Sequence, residues 1–276
     1  MAKEKVRVTD LAAMKAANQP ICAVTAYDYP FARLFDEAGI DVLLVGDSLG
    51  MVVQGAPNTL AVTLDEIIYH TRMVARGRTR ALLVADMPFM SFQVSPEEAV
   101  RNAGRLLKEG GAEAVKVEGG AALAPTVRRM TEMDIPVMGH VGLTPQSIHR
   151  MGGMRVQGRK PGLRPGGFER VLEDAEAIAQ AGVFALVVEG VPVELAARIS
   201  ERVAVPTIGI GASAECDGQV LVMHDLLGLN PGFTPRFVKV YAQLWQQACA
   251  GAASYIEDVR QRRFPAAEHL YHLKEG

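Results

Sequence analysis

Short runs of Val, Ile, Leu and Ala recur along the chain, mostly at intervals of about twenty to forty residues, with charged, amphipathic segments between many of them. Residues 21–27, 42–48, 81–88, 114–119, 136–142, 185–190, 207–212 and 219–224 read as strands. Most of these runs do not alternate with polar residues, which is the pattern of parallel strands buried on both faces. Residues 63–75, 96–109, 168–181 and 192–203 carry apolar residues at the three- and four-residue spacing of helices. Their start signals agree, because Thr63 and Ser95 each precede a Glu by three residues, and Pro96 follows Ser95.

Eight strands separated in this way predict an α/β protein with a closed (β/α)8 barrel. The alternative is an open doubly wound sheet, but the first strand-to-helix turn lacks GxGxxG and no segment matches GxxxxGK[ST]. A (β/α)8 barrel takes about 250 residues. The 276-residue chain is therefore expected to form a single barrel domain over 1–276, with an extra N-terminal helix near 8–18 and a C-terminal helical segment.

Composition narrows the function. Lys plus Arg number 29 against 31 Asp plus Glu, so no basic excess exists to neutralise a run of phosphates, and nucleic acid is not an expected partner. No apolar run approaches the roughly 20 residues needed to cross a bilayer, so no membrane partner is expected. Cys22, Cys216 and Cys249 form no CxxC pair and predict neither a disulfide framework nor a zinc knuckle. The charged N-terminus, Met-Ala-Lys-Glu-Lys-Val-Arg, does not read as a signal peptide, and a cytoplasmic protein is expected.

One connection differs from the rest. Residues 144–167 hold six glycines together with Arg150, Arg155, Arg159, Lys160 and Arg164, and no long helix fits there. A long basic loop leaving the catalytic face of a barrel is expected to act as a lid over an anionic ligand, with a disordered insertion as the alternative.

The chemistry lies where the apolar runs stop. Five of them end in ionisable residues: Asp47 with Ser48, Asp86, Lys116 with Glu118, His140, and Glu189. In a barrel, such ends converge on one mouth. Lys116 and Glu118 are two apart on a strand and so point to the same side, either as a functional pair or as a structural ion pair. Asp47, Asp86 and Glu118 offer only hard oxygen donors, which suit Mg²⁺ with retained waters better than Zn²⁺. His140 reads either as a group polarising a substrate oxygen or as a structural histidine.

Val-Gly-Asp47-Ser48-Leu-Gly-Met, Ala-Asp86-Met-Pro-Phe, Ala-Val-Lys116-Val-Glu118-Gly-Gly, Gly-His140-Val-Gly-Leu-Thr-Pro-Gln, Val-Val-Glu189-Gly-Val-Pro and Gly-Ile-Gly-Ala212 resemble the motifs of the ketopantoate hydroxymethyltransferase family over nearly the whole chain. The resemblance implies a barrel of the phosphoenolpyruvate mutase/isocitrate lyase type. It implies hydroxymethyl transfer from the co-substrate 5,10-methylenetetrahydrofolate to 3-methyl-2-oxobutanoate, giving ketopantoate in pantothenate biosynthesis through a Mg²⁺-stabilised enolate. It further implies a homo-oligomer, commonly a decamer. Carried onto this chain, it makes Asp47, Asp86 and Glu118 the metal shell. Asp47, Ser48, Asp86 and Lys116 become the keto-acid site, and Glu189 the catalytic base. One departure is Ser213, where the pattern has Gly. A C–C lyase of the same superfamily is expected to carry a Cys in its mobile loop, and residues 144–167 contain none. A non-catalytic keto-acid sensor is the rival of a different class.

Overall fold

The computed structural model describes residues 4–232 and 234–273, so the first three residues of the charged N-terminal stretch lie outside it. Eight parallel strands close into a barrel in sequence order. They are β1 (Ile21–Thr25), β2 (Val42–Val45), β3 (Leu82–Asp86), β4 (Ala114–Glu118), β5 (Val137–Gly142), β6 (Ala185–Glu189), β7 (Thr207–Ile210) and β8 (Gly218–Leu221). Each lies within or beside a run picked out from the sequence. The described chain falls into two compact units that divide after Met223. The first holds the barrel, and the second holds the helix Leu244–Arg260, which buries none of its residues. Among the described residues no helix is long and apolar enough to cross a membrane.

Three of the barrel's helices start at side-chain caps. Helix α1 covers Val8–Ala16, α2 Tyr29–Ala38, α3 Leu64–Gly77, α4 Pro96–Arg105, α5 Ala124–Thr131, α6 Phe168–Gln180 and α7 Val193–Arg202. Thr63 forms a full capping box with Glu66. Ser95 caps α4 through the Glu98 N–H at 3.1 Å, and a π turn over Leu106–Gly110 closes that helix. The sequence pattern did not single out α2 and α5.

Period two decides what fills the barrel. Inward positions run Leu82, Val84 on β3; Ala114 on β4; Met138 on β5; Ala185, Val187 on β6; and Ile208, Ile210 on β7. With Val6, Leu11 and Met14 they form one apolar cluster. Continuing the same alternation toward the strand ends gives Asp86, Lys116, Glu118, His140 and Glu189. The stripe that builds the core therefore changes from apolar to ionisable at the C-terminal mouth.

A separate network ties the barrel wall to α2. The Asp36 carboxylate, on the last turn of α2, accepts hydrogen bonds from the Thr79, Arg80 and Ala81 backbone N–H groups and from the Thr79 hydroxyl, all within 3.2 Å. Burial raises the Asp36 pKa, but these donors outweigh it and hold the group below its ordinary value. A depressed folded pKa contributes stability that is present above the unfolded value and lost as pH falls through the folded one. Asp36→Asn keeps the shape but turns an amide toward backbone donors. It is expected to lower unfolding stability by about 2–3 kcal/mol at neutral pH, the scale of charge-assisted bonds. Urea midpoints measured from neutral pH into the acid range check this, and the difference between the two proteins should shrink as wild-type Asp36 becomes protonated.

Candidate active site

Register brings the ionisable residues side by side. Asp86 pairs with Lys116, Glu118 with His140, and Glu189 with Gly142 across adjacent strands. The Lys116 Nζ donates to Asp86 Oδ1 at 2.5 Å and lies 3.9 Å from Glu118 Oε1. His140 stands between two carboxylates, with Nδ1 3.5 Å from Glu118 and Nε2 3.2 Å from Glu189. Asp47, Asp86, Lys116, Glu118 and His140 are all buried, none more than 8% exposed. Glu189 is the most open of the set, with its side chain 15% exposed.

Asp47 reaches the cluster by a different route. The chain turns after β2 at Gly46, where a Cβ would stand 2.8 Å from Ser48 Oγ and 3.4 Å from Asp86 Oδ2. That space is used by Asp86, whose Oδ2 accepts the Asp47 N–H at 3.0 Å. Ser48 shares a hydrogen bond of 2.8 Å with the phenol of Tyr27, itself buried. The structure thus gathers Asp47, Ser48, Asp86, Lys116, Glu118 and Glu189, the residues named from the sequence, at one mouth.

Gln146 belongs with them and was not singled out from the sequence. It lies on the turn Pro145–Ser147 at the root of the 144–167 loop. Its backbone N–H donates to Glu118 Oε2 at 2.9 Å, and its side-chain amide donates to Asp47 Oδ2 and the Met87 carbonyl, each at 3.0 Å. Gln93 donates to its amide oxygen at 3.2 Å. One uncharged residue therefore orients two carboxylates, Glu118 through its backbone N–H and Asp47 through its side chain, and anchors the loop to them. Beyond Met151 the loop has no further helix before α6. Ser213, where the resemblance leads to an expectation of Gly, does not take the left-handed conformation that favours glycine. Its hydroxyl accepts the Glu215 N–H at 3.1 Å instead.

The electrostatics are those of an acid-rich pocket. Burial, then repulsion from Glu118 and Asp86, push the Asp47 pKa well up, and Asp86 is raised by burial against the pull of Lys116. Burial also acts to raise Glu118, but His140, Lys116 and the Gln146 N–H outweigh it and hold that carboxyl below its usual range. Burial and the charge of Lys116 depress His140, and contacts with Glu118 and Glu189 more than reverse this, giving a value of about 9. Both ring nitrogens then carry protons near neutrality and face carboxylates. Two buried carboxylates whose ionisation is disfavoured want a further cation. Among the described residues no group of three or more His, Cys, Asp and Glu closes into a ready-made metal cage. The donor set fits a hard cation that takes a few carboxylate oxygens and completes its shell with water and substrate, as Mg²⁺ does.

The sequence profile described as ketopantoate hydroxymethyltransferase matches residues 5–267. The chain belongs to the ketopantoate hydroxymethyltransferase family. It is accordingly an enzyme, a hydroxymethyl transferase. Family members include the 3-methyl-2-oxobutanoate hydroxymethyltransferase of Pelobacter propionicus, 56% identical over 269 residues and covering 98% of each chain. The protein of the same name from Trichlorobacter lovleyi is 54% identical over 269 residues, covering 98% of this chain and 99% of its own. In fold, this ketopantoate hydroxymethyltransferase family member is similar to solved members of the phosphoenolpyruvate mutase/isocitrate lyase superfamily. A 2,3-dimethylmalate lyase from that superfamily superimposes with TM-score 0.58 at 16% identity, covering 97% of this chain and 91% of the lyase. A phosphonopyruvate hydrolase, itself solved with oxalate and Mg²⁺, gives TM-score 0.61 at 12% identity, with 96% and 93% covered.

Proposed function

We propose that this enzyme transfers a hydroxymethyl group from 5,10-methylenetetrahydrofolate to 3-methyl-2-oxobutanoate, giving 2-dehydropantoate for pantothenate biosynthesis. The observation that carries this reading is the inward stripe of buried Asp86, Lys116, Glu118 and His140 with half-buried Glu189, which puts a cation, a metal-type donor set and a more open carboxylate within one barrel mouth.

The keto acid must lose its C3 proton, and the resulting enolate carries negative charge on the 2-oxygen. Asp47, Asp86 and Glu118 are the residues that would hold Mg²⁺, and when bound the ion supplies positive charge where that negative charge develops. Lys116 neutralises the substrate carboxylate as a compact point charge. Ser48, its hydroxyl set by Tyr27, hydrogen-bonds the same end of the substrate. Glu189 accepts the C3 proton. His140, standing between Glu118 and Glu189, acts as the positioning group that sets the direction in which the base points. Water bonds through oxygen to the methylene carbon of the donor as one of its two carbon–nitrogen bonds breaks, and C3 bonds to the same carbon as the second breaks. Each folate nitrogen keeps its electron pair and takes one proton, one from the water and one equivalent to that removed from C3, and tetrahydrofolate leaves.

Solvent deuterium exchange into C3 of 3-methyl-2-oxobutanoate, with and without Mg²⁺, followed by product analysis with the folate donor added, tests the reading. Mg²⁺-dependent exchange and 2-dehydropantoate formation are expected. A keto-acid sensor would do neither, and a C–C lyase would not form the product.

Asp86→Asn keeps an acceptor for the Asp47 N–H but removes the charge. Its Mg²⁺ affinity is expected to fall by roughly 10- to 100-fold, at least the loss seen for supporting groups around metal sites. Calorimetric titration of folded mutant and wild type checks this, and equal affinities would remove Asp86 from the metal shell.

A further inference from the structure

A cavity of about 710 Å³ opens beside the carboxylate cluster, with Glu118 in its lining. Ligand pockets of about 300–1,000 Å³ take drug-sized molecules, and a five-carbon keto acid would fill a small part of this one. Its walls include Gly119 and Gly120 after β4, Leu123, Val141 and Val171, the loop residues Arg150 and Leu163, and Arg170 with Asp174 on α6. None of these residues has a part in the chemistry described above.

Asp174 is the feature that selects a ligand. Its Oδ1 accepts the Ala121 N–H at 2.8 Å and lies 3.2 Å from Arg170 Nη2, while its side chain stays 22% exposed. A Cβ at position 120 would stand 2.1 Å from the Asp174 carboxyl carbon, so only glycine there lets the carboxylate sit against the loop. Ala121 follows Glu118 by three residues, a chain span of at most about 11 Å, which is within the reach of a fused two-ring system. A carboxylate presents parallel acceptors to two neighbouring N–H groups. The 2-aminopyrimidinone edge of a pteridine offers that pair, apolar walls suit its rings, and an arginine on the loop suits an anionic tail.

We propose that this cavity is the subsite for the one-carbon donor, with Asp174 accepting the aminopyrimidinone edge of the reduced pteridine and Arg150 pairing with the carboxylates of its glutamyl tail. The proposal rests on the function argued above and adds to it the residues that discriminate the second substrate from the first.

The experiment measures KM for 5,10-methylenetetrahydrofolate and for 3-methyl-2-oxobutanoate separately in wild type, Asp174→Asn and Arg150→Gln. It also measures donor-independent C3 exchange, and calorimetric binding of tetrahydrofolate to enzyme loaded with Mg²⁺ and keto acid. Asp174→Asn, which still offers Ala121 an acceptor, is expected to raise donor KM and weaken tetrahydrofolate binding by about 10- to 100-fold, the factor of a charge-assisted hydrogen bond. Keto-acid KM and C3 exchange should stay within about twofold of wild type, since neither needs the donor edge. Arg150→Gln should raise donor KM several-fold, an effect that fades as salt screens the exposed charge. Unchanged donor KM and tetrahydrofolate binding in Asp174→Asn would overturn the subsite while wild-type exchange and turnover left the function standing. Wild type that neither exchanges nor forms product would instead overturn the function itself.

Discussion

Glu189→Gln is expected to bind Mg²⁺ and keto acid normally yet lose product formation and C3 deuterium exchange together, by about 10² to 10⁴, the contribution of a positioned general base. The substitution preserves shape and a carbonyl acceptor but removes the capacity to take a proton at neutral pH. The reasoning depends on geometry. Glu189 ends β6 on the inward stripe, is the most exposed of the clustered acids, and has one oxygen 3.2 Å from His140 Nε2. The remaining acids are engaged elsewhere: Asp86 holds Lys116, Asp47 receives the Gln146 amide, and Glu118 receives the Gln146 N–H with His140 3.5 Å away. Exchange at the wild-type rate in the variant would show that the proton leaves by another route.

Lys116→Ala is expected to act twice. Removing the ammonium leaves Asp86 without its partner among Asp47 and Glu118, and breaking a buried ion pair costs about 3–5 kcal/mol of stability. Added Mg²⁺ should recover part of that loss, because a bound cation stabilises the folded state by mass action. In Mg²⁺-loaded variant, keto-acid affinity should still fall by about 1.5–3 kcal/mol, the scale of a charge-assisted hydrogen bond. Chemical denaturation with and without Mg²⁺, together with keto-acid titration, separates the two effects. A folded variant with unchanged substrate affinity would return Lys116 to a purely structural role.

The barrel was legible because its strands are continuous apolar runs and because those runs end in charge. Lys116 and Glu118 could be assigned to one side of β4 from their spacing, but which side required the closed sheet. Only closure shows that Val84 and Asp86, or Val187 and Glu189, share the interior stripe. Gln146 was invisible for a different reason. It is uncharged, it lies in a glycine-rich connection, and its importance comes from bonds to residues 28 and 99 positions away. The Thr-Pro-Gln of its motif was in view, yet nothing in a single sequence says that the amide turns inward. His140 remained open between two readings, since strand position cannot reveal that carboxylates flank both ring nitrogens. Helix α5 is hard to read because it is only eight residues long and starts after Leu123, which offers no side-chain cap. Helix α2 carried a legible signal in Asp28, which caps the Phe31 N–H at 3.0 Å, with Pro30 just inside the helix.

The change from apolar to ionisable along one stripe also sets a trade-off between activity and robustness. The mouth of the barrel occupies the place of one more layer of core, and the enzyme fills that layer with acids and a lysine instead of Val and Leu. Exchanging the whole set for well-packed hydrocarbon would often be neutral or stabilising by about 1–4 kcal/mol, whereas exchanging single members strands a charge. Selection for a hardier barrel therefore meets a barrier at each single step, and this layer is where heat-stabilising substitutions should be hardest to find without losing turnover.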